Sequence, residues 1–159
     1  MVDNIGSVSN EGIEFSLRTI NVRKRNFTWE TGFIFAKNVN AVVETNLGEV
    51  DDVVNGLFIG YPVDVHYNYV FDGIWQLDEA EEAAKWGREP GSVKIKDLSG
   101  PDGVPDGKID AQYDRTVIGS PIPDFTGSIF TQITFWDFDL SASVYMEQGV
   151  MKKSAFFND

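Results

Sequence analysis

FDLSASVYME, residues 138–147, decides the fold. Phe138, Leu140, Ala142, Val144 and Met146 alternate with Asp139, Ser141, Ser143, Tyr145 and Glu147. Successive side chains of a strand point to opposite faces, so this stretch reads as a strand with one apolar and one polar face. Just upstream, TGSIFTQITFW (126–136) repeats the device. Ile129, Ile133 and Phe135 stand against Ser128, Gln132 and Thr134, with Phe130 and Thr131 blurring the pattern. A tight turn at Trp136-Asp137 makes 126–149 a hairpin. The other end of the chain is built alike. In GIEFSLRTINV (12–22), Ile13, Phe15 and Leu17 oppose Glu14, Ser16 and Arg18. RKRN (23–26) reads as a polar turn, and in FTWETGFIFA (27–36) Phe27, Trp29, Phe33 and Phe35 oppose Thr28, Glu30 and Gly32. Residues 1–36 therefore hold a second hairpin.

The fold class is thus mainly β, with four strands of about ten residues each. Strands of soluble proteins average about 5–6 residues, whereas a barrel strand crosses a bilayer with about 9–11. Aromatic residues stand near the strand ends: Phe27, Trp29, Phe135, Trp136, Phe138 and Tyr145. Such girdles mark outer-membrane barrels. Periodicity alone leaves two architectures open, a transmembrane barrel segment and a soluble antiparallel sheet with one buried face.

Composition narrows the function. The 159 residues carry 25 acidic and 13 basic side chains, a formal charge of −12. A nucleic-acid partner needs a basic surface, so that class is excluded. Cysteine is absent and His66 is the one histidine, which rules out disulfides and leaves too few ligands for zinc. Hydrophobic residues at 42% are too many for a disordered chain. No apolar run approaches the roughly 20 residues of a membrane helix. MVDNIGSVSN (1–10) has neither a basic segment nor an apolar stretch, so it is no signal peptide. Read literally, that means a cytoplasmic protein; the alternative, which the rest of the sequence favours, is a piece of something longer.

Between the hairpins lie residues 37–125, far longer than ordinary loops. DEAEEAAKW (78–86) reads as a short helix with Asp78 as N-cap and Gly87 as its stop. LFIGYPVDVHYNYVF (57–71) has the composition of a short strand or two. Glu79, Glu81 and Glu82 suit a solvated helix face better than acid–base catalysis, and His66 has no nucleophile motif beside it, so no enzyme is expected. Tyr61, Tyr67, Tyr69, Trp75 and Trp86 are candidates to stack on a ligand such as a sugar ring, or else to pack the loop's own core. DLSGPDGVPDGKIDAQYDR (97–115) is an acidic glycine loop. Calcium takes six to eight oxygen ligands, and closely spaced carboxylates with glycines at the turns supply them. Asp97, Asp102, Asp106, Asp110 and Asp114, with the Lys108 carbonyl, form the candidate set, Asp106–Asp110 matching the middle of an EF-hand-type loop. The match is partial. With Asp106 at loop position five, position twelve is Tyr113 and position three is Val104. A solvated Asp/Gly turn is the other reading.

Several motifs together resemble one family. They are NIGSVSNEGIEFSL (4–17), FTWETGFIFAKNVNAVVE (27–44), GYPVDVHYNYVFDGIWQ (60–76), DEAEEAAKWGREPGSVKIKDLSG (78–100), the DGKID and DRTVIGSPIPDFTGS runs within 106–128, and FDLSASVYMEQG (138–149). In order and spacing this set resembles the C-terminal part of a SusC/RagA-type TonB-dependent outer-membrane transporter. The resemblance implies a barrel of about 22 strands with a plug, in the outer membrane of a Bacteroidetes-like Gram-negative cell. It further implies a SusD-like surface lipoprotein as lid, the TonB complex as energy source, and a glycan or peptide as cargo. On this chain it implies strands from Asn10 and through Trp29 to Lys37-Asn38. It makes 37–125 a long extracellular loop carrying the short helix and the aspartate loop, and 150–159 a tail. The family's D-x-N-G-D-G-x-I-D segment is altered here, with Ser99 in place of Asn and an insertion after it.

The plug, the TonB box and most strands have no counterpart in these 159 residues, so the resemblance implies a fragment. Four strands leave open edges, which invite pairing with another copy. The two functional expectations are a nutrient-importer fragment and a small soluble calcium-binding β-rich module.

Overall fold

A computed structural model describes residues 6–153; the ends of the expected first strand motif and of the 150–159 tail lie outside them. The chain is mainly β and divides into two units, residues 1–65 with 120–159 and residues 66–119. The first unit is built on a four-stranded antiparallel meander. Its strands are β1 (Gly6–Lys24), β2 (Phe27–Thr45), β7 (Phe125–Phe135) and β8 (Phe138–Gln148), in the order β1-β2-β7-β8. The second unit holds two small antiparallel pairs. β3 (His66–Tyr69) pairs with β6 (Arg115–Gly119), and β4 (Phe71–Ile74) with β5 (Val93–Ile95). Helix α1 (Ala80–Lys85) follows a single 3-10 turn at Leu77–Glu79.

The register carries the alternation seen in the sequence across all four long strands. Phe15 lies opposite Phe35, and Leu17 opposite Phe33. Phe33 continues to Ile129 and Val144, and Trp29 to Ile133 and Leu140. Directly opposed residues share a face, so one face of the sheet is predominantly apolar, with a row of threonines, Thr19, Thr31 and Thr131, across its middle. The other face carries Glu14, Ser16 and Arg18, then Thr28 and Glu30, then Ser128, Gln132 and Thr134, then Asp139, Ser141 and Ser143. On it the Arg18 guanidinium donates to Glu30 through Nε at 3.1 Å. The apolar face is exposed: Phe15, Leu17, Phe33, Leu140 and Val144 all stay open to their surroundings. The hydroxyls in its middle are satisfied within the sheet. Thr19 and Thr31 share a 2.8 Å bond, and Trp29 Nε1 donates to Thr131 Oγ1 at 3.0 Å.

Two expectations need correction. Strands of about ten residues describe β7 and β8, with 11 each, but β1 and β2 run to 19. Alternation weakens in KNVNAVVET, yet β2 continues through it to Thr45 because β1 supplies hydrogen bonds all the way to Gly6. β7 pairs β2 only from Phe27 to Ala36, so the extra length is a two-stranded ribbon. Beyond it, residues 46–64 fold back onto the ribbon. Val42 exchanges backbone bonds with Gly60 and Tyr61, and Val42 and Phe58 are buried. The second correction concerns the helix start. Asp78 is not the N-cap; Gln76 caps the 3-10 turn and Glu79 is the N-cap of α1 itself. Glu79 has the longer reach and its Oε2 accepts from Gln76 N at 3.1 Å. Gly87 ends the helix as expected, at φ 64, with its N–H on Ala84 O.

Both hairpin turns lie together. Trp136 N donates to Asn26 O at 3.0 Å, and the Trp136 ring stacks on Phe135 at 5.7 Å. Phe27 meets Phe135 edge-on at 6.3 Å. Phe130, which blurs the alternation in the sequence, is explained by its partner: it lies opposite Gly32, and a Cβ there would run into its ring. A bulky side chain on the polar face is accommodated because its neighbour has none.

This predicts a coupled pair. Gly32→Val should destabilise the chain in detergent micelles by about 1–3 kcal/mol through overpacking. In a Phe130→Ala background the cost should largely vanish, and the coupling is read by a double-mutant cycle of urea unfolding.

Candidate functional site

The second unit holds most of the candidate residues, and its loop is ordered by its own carboxylates. Asp114 is fully buried. Its Oδ1 accepts from Leu98 N at 2.8 Å and Ser99 N at 3.4 Å, and its Oδ2 accepts from Asp110 N at 2.8 Å. Asp110 Oδ1 accepts from Gln112 N and Tyr113 N, Asp106 Oδ1 from Lys108 N, and Asp97 Oδ2 from Gly107 N at 2.7 Å. These are turn-forming bonds of the kind aspartate makes with the backbone a few residues on. Asp97 and Asp114 also reach across the loop to tie its two ends together. Asp102 and the Lys108 side chain stand exposed. Among the described residues no three acidic or histidine side chains converge as a metal cluster.

Burial works against the charge on Asp114. The amides of Asp110, Leu98 and Ser99 outweigh it, helped by the Asp97 side chain, and hold the carboxyl below its ordinary value. A depressed carboxyl stabilises the fold above the unfolded value, about 4, and that contribution is lost as pH falls through the lower folded value.

The aromatic candidates separate. Trp75 is buried at 5% exposure, with Lys94 Nζ 4.2 Å from its ring centroid. Lys94 also pairs with Glu79 at 2.8 Å. That hydrogen bond keeps Glu79 below and Lys94 above their usual values. Tyr67, on β3, lies under the Arg115 guanidinium at 4.7 Å. Tyr69 ends β3 opposite Arg115. Tyr61 belongs to the other unit, where its N–H bonds Phe58 O. Of the five aromatic candidates, Trp75 and Trp86 line one cavity, of about 280 Å³. Lys85, Arg88 and Lys108 line it too. The sequence reading passed over Lys85 and Arg88. The signal was present in KWGR (85–88), two cations flanking a tryptophan at a helix stop.

Asp114 generates the prediction for this unit. Asp114→Ala should leave three buried amides unpaired and cost on the order of 3 kcal/mol, with Asp114→Asn intermediate. Hydrogen exchange should rise at Leu98, Ser99 and Asp110. The wild-type loop should lose protection in acid, below about pH 4, and keep it at neutral pH.

No protein-family model matches the chain. Curated relatives do. TonB-dependent receptor P26 of Formosa agariphila is 33% identical over 162 residues, covering 93% of this chain and 16% of the relative. TonB-dependent receptor P3 of the same organism is 30% identical over 154 residues, covering 88% and 15%. Among solved structures, the RagAB peptide importer in the open-open state superposes with a TM-score of 0.68 at 20% identity, over 91% of this chain and 15% of that one. A second RagAB peptide transporter structure gives 0.66 at 22% identity, over 92% and 16%. This chain spans about one sixth of the length of the relatives it matches. The strands, their order and the apolar face agree with that likeness: over most of its length the chain is homologous to TonB-dependent receptors, and it shares the fold of the RagAB importer.

Proposed function

We propose that this segment forms wall strands and a large outer loop of an outer-membrane nutrient importer. The carrying observation is the largely apolar face that spans β1, β2, β7 and β8, crossed by the hydrogen-bonded threonines Thr19, Thr31 and Thr131, and stays exposed. A folded protein in water rarely leaves so large an apolar surface open. Facing lipid, the same surface is stabilising. β7 and β8 have 11 residues each, matching the span of a tilted barrel strand, about 9–11. Phe27, Phe135, Trp136 and Phe138 gather at the turn end, where aromatic rings favour the membrane–water interface. The polar face then lines the lumen, and the edges of β1 and β8 pair with further wall strands, since an open edge in hydrocarbon leaves amides unbonded.

On this reading the turn end faces the periplasm and residues 46–124 the cell exterior, following the short-turn, long-loop asymmetry of such barrels. The parent protein takes up a glycan or peptide with energy from TonB, under a SusD-like lipoprotein lid. It moves its cargo by gating, with no covalent step. The neighbouring RagAB fold supports the lid and the uptake mode.

The two faces of β8 test the proposal. Val144→Arg, on the apolar face, should cost about 2–4 kcal/mol if that face meets the bilayer midplane, and should lower the yield of heat-resistant protein folded into lipid vesicles. Ser143→Arg, its neighbour on the polar face, should leave folding near wild type. Equal tolerance of both substitutions in lipid would overturn the lipid-facing assignment.

A further inference from the structure

The cavity beside α1 has a charge at odds with its surroundings. Acids outnumber bases both in the whole chain and in residues 66–119. Yet Lys85, Arg88 and Lys108 all line this cavity, and no aspartate or glutamate does. Lys85 is offset by Glu82 at 2.7 Å. Arg88 and Lys108 have no ion-pair partner among the described residues. The rest of the lining is apolar: the half-buried Trp86, the buried Trp75, whose ring Lys94 Nζ approaches to 4.2 Å, and Val93, Ile95 and Ile109. Like charges that converge without a counterion repel, and a bound anion relieves that repulsion.

We propose that this cavity binds an anionic sugar unit, a sulfated or uronic-acid ring of an oligosaccharide. The sulfate or carboxylate sits between Arg88 and Lys108, where the guanidinium offers a fork of donors to two oxygens at once. The ring's apolar face lies against the indole of Trp86. At about 280 Å³ the cavity sits just under the lower end of small-molecule sites, about 300 Å³, which suits one ring of a longer chain rather than a folded partner. An acidic peptide would satisfy the cations but leave the indole without a flat partner. A neutral sugar would satisfy the indole and leave the cations uncompensated. The inference rests on the importer reading only for why such a ligand reaches the cavity.

The test is calorimetric titration of the full chain in neutral detergent with a chondroitin-sulfate hexasaccharide, its desulfated and carboxyl-reduced counterpart, and hexaglutamate. The sulfated sugar should bind, the neutral one should not, and binding should weaken as salt rises. The Arg88→Ala/Lys108→Ala double variant should weaken it by at least about tenfold, as should Trp86→Leu. Lys96→Ala, an exposed cation outside the cavity, should bind as wild type. Circular dichroism and tryptophan emission establish that the variants fold. No binding of the sulfated sugar, equal binding to the double variant, or tighter binding of hexaglutamate than of the sugar would overturn the proposal. Such a result leaves the lipid-facing assignment standing, because the β8 substitutions are read by folding into vesicles and not by ligand.

Discussion

The first unit depends on the pairing of β2 with β7. Each hairpin, β1-β2 and β7-β8, is local and closes through its own short turn. The β2–β7 ladder joins them across the long middle segment, and Trp29 and Thr131, bonded across it, are 102 residues apart. Closing so large a loop costs entropy that grows only slowly with its length. The ladder offsets it with continuous backbone bonding from Phe27–Phe135 to Ala36–Thr126. The same pairing aligns the apolar residues of four strands into one face. A slip of one residue would put Phe33 and Trp29 among the glutamates and serines. Gly32 and Phe130, and the joined turns at Asn26 and Trp136, hold that register.

The sheet makes physical sense only in surroundings that differ on its two sides. In water the exposed phenylalanines, leucines and valines of one face would drive association. In a bilayer they become the favourable side, and the polar face becomes the lumen. The threonines in the middle of the apolar face fit this, because their hydroxyls are bonded across strands or to the Trp29 indole and present no unpaired group to lipid.

The second unit solves a different problem. It has little apolar mass: Trp75 and Ala83 are its buried hydrophobic residues among those described. Its order comes from polar closure. Asp114 collects three amides, Asp97 and Asp106 fold the glycine loop, and the Glu79–Lys94 pair braces Trp75. Four of the five carboxylates spread as a possible ligand set in the sequence, Asp97, Asp106, Asp110 and Asp114, thereby each accept a backbone amide. The cations, scattered in sequence at 85, 88 and 108, converge on one cavity.

Alternation was legible in the sequence because a strand's two-residue period is a local property: FDLSASVYME shows its faces before any partner is known. The order of motifs likewise pointed to the transporter family. Where β2 ends was not legible, since KNVNAVVET has no strict alternation and is a strand only because β1 lies beside it. Phe130 looked like noise until Gly32 was placed opposite. Gln76 rather than Asp78 opens the helical turn because the Glu79 carboxylate reaches back to the Gln76 N–H, a choice made by side-chain geometry rather than by residue type. Above all, spacing did not determine that four of the five aspartates of the acidic loop, Asp97, Asp106, Asp110 and Asp114, turn an oxygen toward backbone amides. Backbone N–H groups and cations compete for the same carboxylate lone pairs, and only the closed path of the chain decides which partner each oxygen meets.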